Sequence, residues 1–516
     1  MKESNSQATA PLSPSLQANV RAINERFGGS SDFVIRSFRS DAAPERELAL
    51  FYLKGIVDEG IINESVLAPL MSMKLPDERA GKEGSWLLRA LRASVVSVGS
   101  VKEIRAMEEA LQLLADGMCL ILSDGSDTAL AAEAGGGETR GVDIAQTQTV
   151  IRGPQRGFVE ELSTNISLIR RIIRSPDLRV QTHKIGTQTH TDVAVVFMNG
   201  IADEATVKEV YRRLADIEVD GVLDSGYIEE FIQDETFTLF PTLMNTERPD
   251  SIAAALLEGR IAIMVDGTPI ALTAPITFFS FFQSPEDYYQ RFDIASFVRM
   301  IRYAAYVVSM VLPALYIAVT TFHQEMLPTT LLISLAAQRE GVPLPGLVEA
   351  LLMEMTFEVL REAGLRMPRA IGPAISIVGA LVLGQSAVQA GIVSAGMVIV
   401  VSFTAISNFV IPEFSMAATS RIIRFGFMLM AGFLGFFGIF IAMLFILVHL
   451  VSLRSFGVPY MSPFAPGASS SGKWRDVFLR VPWWAIVLRP QELGLHNPKR
   501  KSGKRRPLDQ RQRKKT

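Results

Sequence analysis

The 516-residue chain holds a single cysteine, Cys119, and only five histidines. One thiol allows no disulfide framework within the chain and no cysteine-based metal site. The histidines show neither HxH nor HExxH spacing, so the sequence nominates no metal centre. There is no GxxxxGK[ST] phosphate loop, because GGGETRG at 135–141 lacks the lysine and has no apolar strand before it. No GxSxG elbow or Ser/His/Asp arrangement appears either. Neither ATP-driven pumping nor hydrolysis is expected, and the residues ask for no cofactor. The opening MKESNSQATAPLSPSLQA has no apolar h-region, so no secretory signal is read there and the N-terminal region is expected to stay cytoplasmic. The last absence is the most informative. Residues 303–322, 371–392, 393–412 and 425–453 contain no Asp, Glu, Lys or Arg.

A hydrocarbon core about 30 Å thick needs roughly 20 apolar residues in a helix. All four uncharged stretches reach or approach that length, which predicts an integral membrane protein. The averages conceal this: hydrophobic residues are 48%, the net charge is −2 and mean hydropathy is +0.26. Residues 1–300 have the composition of a soluble domain, and the apolar residues crowd the second half.

Along the chain, residues 1–16 are Ser-, Gln- and Pro-rich and are expected to be disordered. A short helix is predicted at 17–27, ended by Gly28 and Gly29. Strands are predicted at 33–38, 47–53, 95–99, 119–124 and 128–133, with helices at 61–72 and 101–115. A second series follows: helix 158–174, strands 178–186 and 192–198, helices 203–216, 227–232 and 251–258, and a hairpin over 261–273. The two series resemble an internal repeat. ALFYLKGIVDE (49–59) echoes AVVFMNGIADE (194–204), and CLILSDG (119–125) echoes IAIMVDG (261–267). Asp124 and Asp266 then read as tight-turn residues before glycine rather than as catalytic acids.

The expected fold is a multidomain membrane protein: a cytoplasmic α/β region of two similar subdomains, then an all-α transmembrane domain of 4–6 helices. The boundaries are a disordered segment and short helix at 1–31, subdomains at 32–140 and 141–290, a transmembrane domain at 291–455 and a tail at 456–516. Ten Lys or Arg against one Asp in 498–516 favour anionic lipid or topology determination over nucleic acid. Together with Arg291, Arg299 and Arg302 before the first span, that tail places both termini on the cytoplasmic side. Pro313 interrupts the first span and frees the carbonyl of residue 309.

Two features carry candidate function. Ser376, Ala380 and Gly384 form a small-residue stripe at steps of four, and Gly432, Gly435 and Gly438 one at steps of three. Such stripes let helices approach closely, within a subunit or between subunits. Between the first two uncharged stretches, PGLVEALLMEMTFEVLREAGLRMP (345–368) aligns Glu354, Glu358 and Glu362 on one helical face. That is either a solvated helix on the bilayer surface or the acidic lining of a cation path.

IRGPQRGFVEELSTNISLIRR (151–171), FPTLMNTERPD (240–250), LLEGRIAIMVDGTP (256–269), SPEDYYQRF (284–292), PTTLLISLAAQREGVPLP (328–345), EVLREAGLRMPRAIG (358–372) and RSFGVPYMSPFAP (454–466) occur in order. In these motifs the chain resembles the A subunits of GerA-type spore germinant receptors, from about residue 17 to about residue 490. One motif departs: the family's Gly-Pro-Arg-Glu/Asp-Gly-Phe reads GPQRGF at 153–158, which removes an acid from that junction. The resemblance implies a multi-pass protein of the spore inner membrane. Its partners would be a transporter-like B subunit, which holds the nutrient, and a lipoprotein C subunit. It also implies a homo-oligomeric ring, expected to be a pentamer, that conducts cations when nutrient binds. It supplies no catalytic residues, and it moves the 345–368 helix toward the polar-lining reading. Two alternatives stay open: an accessory SpoVAF-like channel subunit that amplifies germination, and a non-conducting membrane scaffold.

Overall fold

A computed structural model describes residues 10–40, 43–72, 100–136, 145, 148, 150–367, 382–464, 476–489 and 497–500. The chain forms two compact units. One comprises residues 1–234, 243–276 and 486–516, and the other residues 235–242 and 277–485.

The first unit contains two five-stranded sheets. Helix α1 (Leu16–Phe27) leads into strands β1 (Phe33–Ser40) and β2 (Ala43–Leu53). Strand β3 (Val101–Ile104), helix α2 (Met107–Ala115) and strands β4 (Met118–Ser123) and β5 (Ala129–Glu133) complete the first sheet. Its order is β1-β2-β4-β5-β3, and every neighbouring pair is antiparallel. The central strands are apolar on both faces because both faces are covered. Phe51, Leu120 and Leu122 meet Ile23, Phe27 and Leu114 from α1 and α2. Leu48, Leu50, Cys119 and Ile121 meet Ile62, Val66 and Leu70 from the helical segment after β2.

The second sheet follows helix α3 (Leu162–Ile172). It is built from β6 (Leu178–Ile185), β7 (Thr191–Met198), β8 (Met244–Thr246), β9 (Ile261–Val265) and β10 (Ala271–Ala274). Helices α4 (Glu204–Ala215), α5 (Ser225–Ile232) and α6 (Pro249–Glu258) lie between them in sequence. The order β6-β7-β9-β10-β8 repeats that of the first sheet, again all antiparallel. The register repeats as well. Ala49↔Leu122 and Phe51↔Leu120 in the first sheet correspond to Ala194↔Met264 and Val196↔Ala262 in the second. These are the residues that the two sequence echoes align.

The repeated aspartates have a further task that the echoes did not reveal. Asp124 Oδ1 accepts from the Leu16 amide at 3.1 Å, and Asp266 Oδ1 accepts from the Leu162 amide at 3.0 Å. Each carboxylate therefore satisfies a free N–H at the start of the helix preceding its own sheet, where negative charge is favoured. Asn19 and Asn165 match in the same way, each bonding the backbone of the residue six positions before it, Ser13 or Val159.

Two sequence expectations are corrected. Residues 10–16, expected within a disordered 1–16, are ordered: Leu12 is buried in the first core and its amide donates to the Arg105 carbonyl at 2.8 Å, because an apolar side chain in the Pro/Ser-rich segment finds the core. The helix predicted over 101–115 begins only at Met107, and Val101–Ile104 is an edge strand pairing Val101↔Ala132. Sheet pairing with β5 overrides the helical reading of VKEI. The strand expected at 95–99 lies outside the described residues. At the 153–158 junction Arg156 is exposed, and Arg248 instead bonds Asp250 at 2.7 Å and the Pro154 carbonyl at 2.9 Å.

Cys119 is fully enclosed on β4, and burial pushes its thiol well above the usual cysteine range. Thiolate formation and reagent access are both suppressed there. Intact protein should resist maleimide, and labelling should appear only on unfolding, as read by mass spectrometry.

The second unit is largely helical: α7 (Phe292–Thr321), α8 (Thr329–Arg339), α9 (Gly346–Arg366), α10 (Ala395–Phe409) and α11 (Phe414–Ser452). Only α7 and α11, among the described residues, are long and apolar enough to cross a membrane. Helix α10 has 15 residues, about 22 Å at 1.5 Å each, which is short of a bilayer core. Residues 371–381 of the second uncharged stretch are outside the described residues, and helix resumes over 382–389. Helix α11 is broken at Gly435, whose φ of 58° and ψ of −137° suit glycine alone.

Candidate functional site

A group of charged residues in the second unit meets where α7, α9, α10 and α11 come together. Proline in α7 starts the arrangement. Pro313 has no N–H, so the Ser309 carbonyl loses its helical donor. Arg424 of α11 fills that role, its Nε donating to the Ser309 carbonyl at 2.7 Å. Arg424 Nη1 also bonds Glu354 Oε2, and both side chains are almost fully buried. One guanidinium thus holds the proline-bearing helix, the acidic helix and α11 together. Charge-assisted bonds of this kind are among the stronger ones in proteins.

The next turn of α9 repeats the pattern. Arg421 Nη1 donates to Glu358 Oε2 at 2.8 Å, with both side chains about one-fifth exposed. Arg361 donates to Asn408 Oδ1 at 3.1 Å and sits over the rings of Phe409 and Phe414. Asn408 in turn donates to the Ala417 carbonyl and to Ser420 Oγ. Glu362 stands apart: it is exposed and, among the described residues, pairs with Arg366 on its own helix.

A second acid of α9 holds the start of α10. Glu349 is fully buried, and its Oε1 accepts from the Ser394 amide at 2.6 Å and from Ser394 Oγ. Ser394 is the residue capping α10. Among the described residues, the other carboxylate oxygens of Glu349, Glu354 and Glu358 are buried without a hydrogen-bond partner, and Arg339 Nε lies 3.9 Å from that of Glu349.

The three glutamates aligned by the sequence therefore occupy three environments: Glu354 enclosed, Glu358 partly covered and Glu362 exposed. Their partners Arg421 and Arg424 were missed because they lie just before the uncharged stretch 425–453. The signal was present as RIIR at 421–424, whose arginines three apart can face glutamates four apart on another helix.

Of the small-residue positions, Ser376 and Ala380 lie outside the described residues. Gly384 has Val398 of α10 in ordinary contact at 3.6 Å from a built Cβ. A Cβ on Gly432 would come within 2.6 Å of Leu347 of α9, and one on Gly435 within 2.7 Å of His323. At Gly438 the nearest atom would be the Met430 carbonyl oxygen of α11 itself. Gly432 thus marks a close approach between helices of one chain.

One unit holds two matched sheets, and the other is a bundle whose apolar helices enclose paired charges. The family model described as Bacillus/Clostridium GerA spore germination protein matches residues 21–492. The chain belongs to the GerA spore germination protein family. It is 48% identical over 496 residues to spore germination protein KA of Bacillus subtilis (strain 168), covering 96% of this chain and 90% of that one. It is 40% identical to uncharacterized membrane protein YfkQ of the same organism, over 99% of this chain and 97% of the relative. Spore germination protein GerLA of Bacillus cereus is 36% identical over 92% of this chain and 94% of its own. Among solved structures, the N-terminal domain of the A subunit of the Bacillus megaterium spore germinant receptor GerK3 is 36% identical. It covers 53% of this chain and 99% of the solved chain, with a TM-score of 0.42.

Proposed function

We propose that this protein is the A subunit of a spore germinant receptor, acting with B and C subunits in the spore inner membrane. It assembles as a homo-oligomer that opens a cation path when nutrient binds the complex. The membrane reading rests on α7 and α11, whose outer surfaces are apolar while their arginines turn inward. Phe433, Phe437, Phe440 and Phe445 of α11 are all strongly exposed, whereas Arg424 is buried. An ionised group in lipid is tolerated only when it faces a partner or water, and Arg424 has its partner. The receptor reading rests on relatives that are themselves named spore germination proteins.

Within that reading the acids of α9 divide the work. Glu354 anchors the bundle, and the exposed carboxylate of Glu362 is the one available to an aqueous path between subunits. Reconstituted with its B and C partners in planar bilayers, the protein should pass cation current on nutrient addition. Glu362→Lys should lower cation selectivity, because a ring of acids attracts cations and a ring of lysines repels them. Nutrient without current removes conduction, and unchanged selectivity in the variant removes Glu362 from the path.

A further inference from the structure

The first three turns of α7 are amphipathic in the reverse sense. Arg299 is fully buried and Arg302 nearly so, while Ile294, Phe297, Met300 and Ile301 are 42–63% exposed. The buried arginines are held inside the second unit. Arg302 Nη1 donates to both oxygens of Asp287 at 2.8 Å. Arg299 donates through Nε to Asp287 Oδ2 at 3.1 Å and through Nη1 to the Asp476 carbonyl at 2.6 Å. The segment carrying Asp476 is fixed to α7 by Ser296, which bonds both the amide and the carbonyl of Arg480. That segment also turns apolar groups outward, with Leu479 56% and Trp483 49% exposed.

In water this arrangement is unfavourable, because it leaves a continuous apolar face exposed while the charged groups are turned inward. Against a bilayer it is the favoured orientation. We infer that residues 294–302 of α7, with the 476–484 segment beside them, form a lipid-contact surface at the headgroup–acyl boundary of a phospholipid bilayer. This inference rests on the membrane placement proposed above and extends it by about three helical turns, since the uncharged stretch begins only at Tyr303.

Three observations favour lipid over a second protein surface. The exposed face is continuous, because Ala304 and Val307 extend it into the span. From Ile294 to Thr321, α7 exposes no ionisable side chain other than tyrosine, a length of about 42 Å at 1.5 Å per residue. That equals a bilayer of about 40–45 Å with its headgroups included. The exposed pair Arg291–Asp293 stands at the aqueous end. Finally, Trp483 donates its indole N–H to the Tyr288 carbonyl and sits beside the Arg480 guanidinium, aromatic and basic chemistry typical of a membrane interface.

The test is site-directed spin labelling of the full chain in phosphatidylcholine/phosphatidylglycerol nanodiscs. Cysteines are placed by Phe297→Cys, Met300→Cys and Leu479→Cys, with Arg291→Cys as the aqueous control and Leu315→Cys as the mid-span control. The enclosed Cys119 stays in place. Labels at 297, 300 and 479 should be relaxed by oxygen and lose the accessibility to a water-soluble nickel complex that the label at 291 retains. Nickel access at these three positions, with the 315 label still in lipid, overturns this inference and leaves the membrane placement standing. Nickel access at 315 as well overturns both. Immobilised spectra with dipolar broadening between copies would show a protein partner on this face and also overturn the lipid assignment.

Discussion

Arg424→Met is expected to destabilise the helical unit by about 3–5 kcal/mol, the usual cost of stranding one member of a buried ion pair. The substitution leaves Glu354 enclosed with no cation and removes the donor to the carbonyl that Pro313 frees. Glu354→Gln should cost a similar amount, because it strands the buried Arg424 guanidinium, which cannot shed its charge. The double variant should be more stable than the sum of the singles, since neither charge is then left alone. Thermal unfolding of the four proteins in one detergent measures the cycle. Strict additivity would mean that the two side chains do not sense one another, and the bridge would have no energetic content.

Asp32→Asn is expected to cost a similar amount, about 3–5 kcal/mol, but in the sheet-bearing unit. Arg170 of α3 is 1% exposed and grips Asp32 with two bonds, Nε to Oδ2 at 2.7 Å and Nη2 to Oδ1 at 3.0 Å. Asp32 precedes β1, so the pair ties the first sheet to the helix that covers the second. The tie is short-range and specific, with the Ser31 amide donating to the Val180 carbonyl at 2.8 Å beside it. Hydrogen exchange should therefore quicken first at Ser31 and Thr182, ahead of the sheet centres. Arg170→Lys should rescue little, because an ammonium cannot reproduce the two-pronged fit. Unchanged exchange at this seam in Asp32→Asn would show that apolar contacts alone hold it.

Most strands and helices of the first unit were legible because their apolar residues follow clear periods. The echoes of 49–59 and 119–125 in 194–204 and 261–267 also pointed to the repeat that the two strand orders share. Edge strand β3 was not legible, since VKEI is as compatible with a helix as with a strand until Ala132 pairs with it. In the second unit, the alignment of Glu354, Glu358 and Glu362 was readable from spacing, but their separate environments were not. Which acid is enclosed depends on Arg421 and Arg424 arriving from a helix more than 60 residues later. The freed carbonyl at Ser309 was foreseen from Pro313, whereas its donor was not. Periodicity shows which residues share a face; it does not show what that face meets.

The bridge between Glu354 and Arg424 also constrains how the protein is made. The two residues are 70 positions apart, so the acid emerges from the ribosome well before its cation. Under the proposed membrane placement, α9 has no stable resting place in hydrocarbon during that interval. It must wait in water or in the translocation channel until the start of α11 is synthesised. At about 5–20 residues per second, the wait is on the order of 3–15 seconds. Insertion of α9 is then the late step, and a chain truncated before residue 421 should leave α9 outside the bilayer.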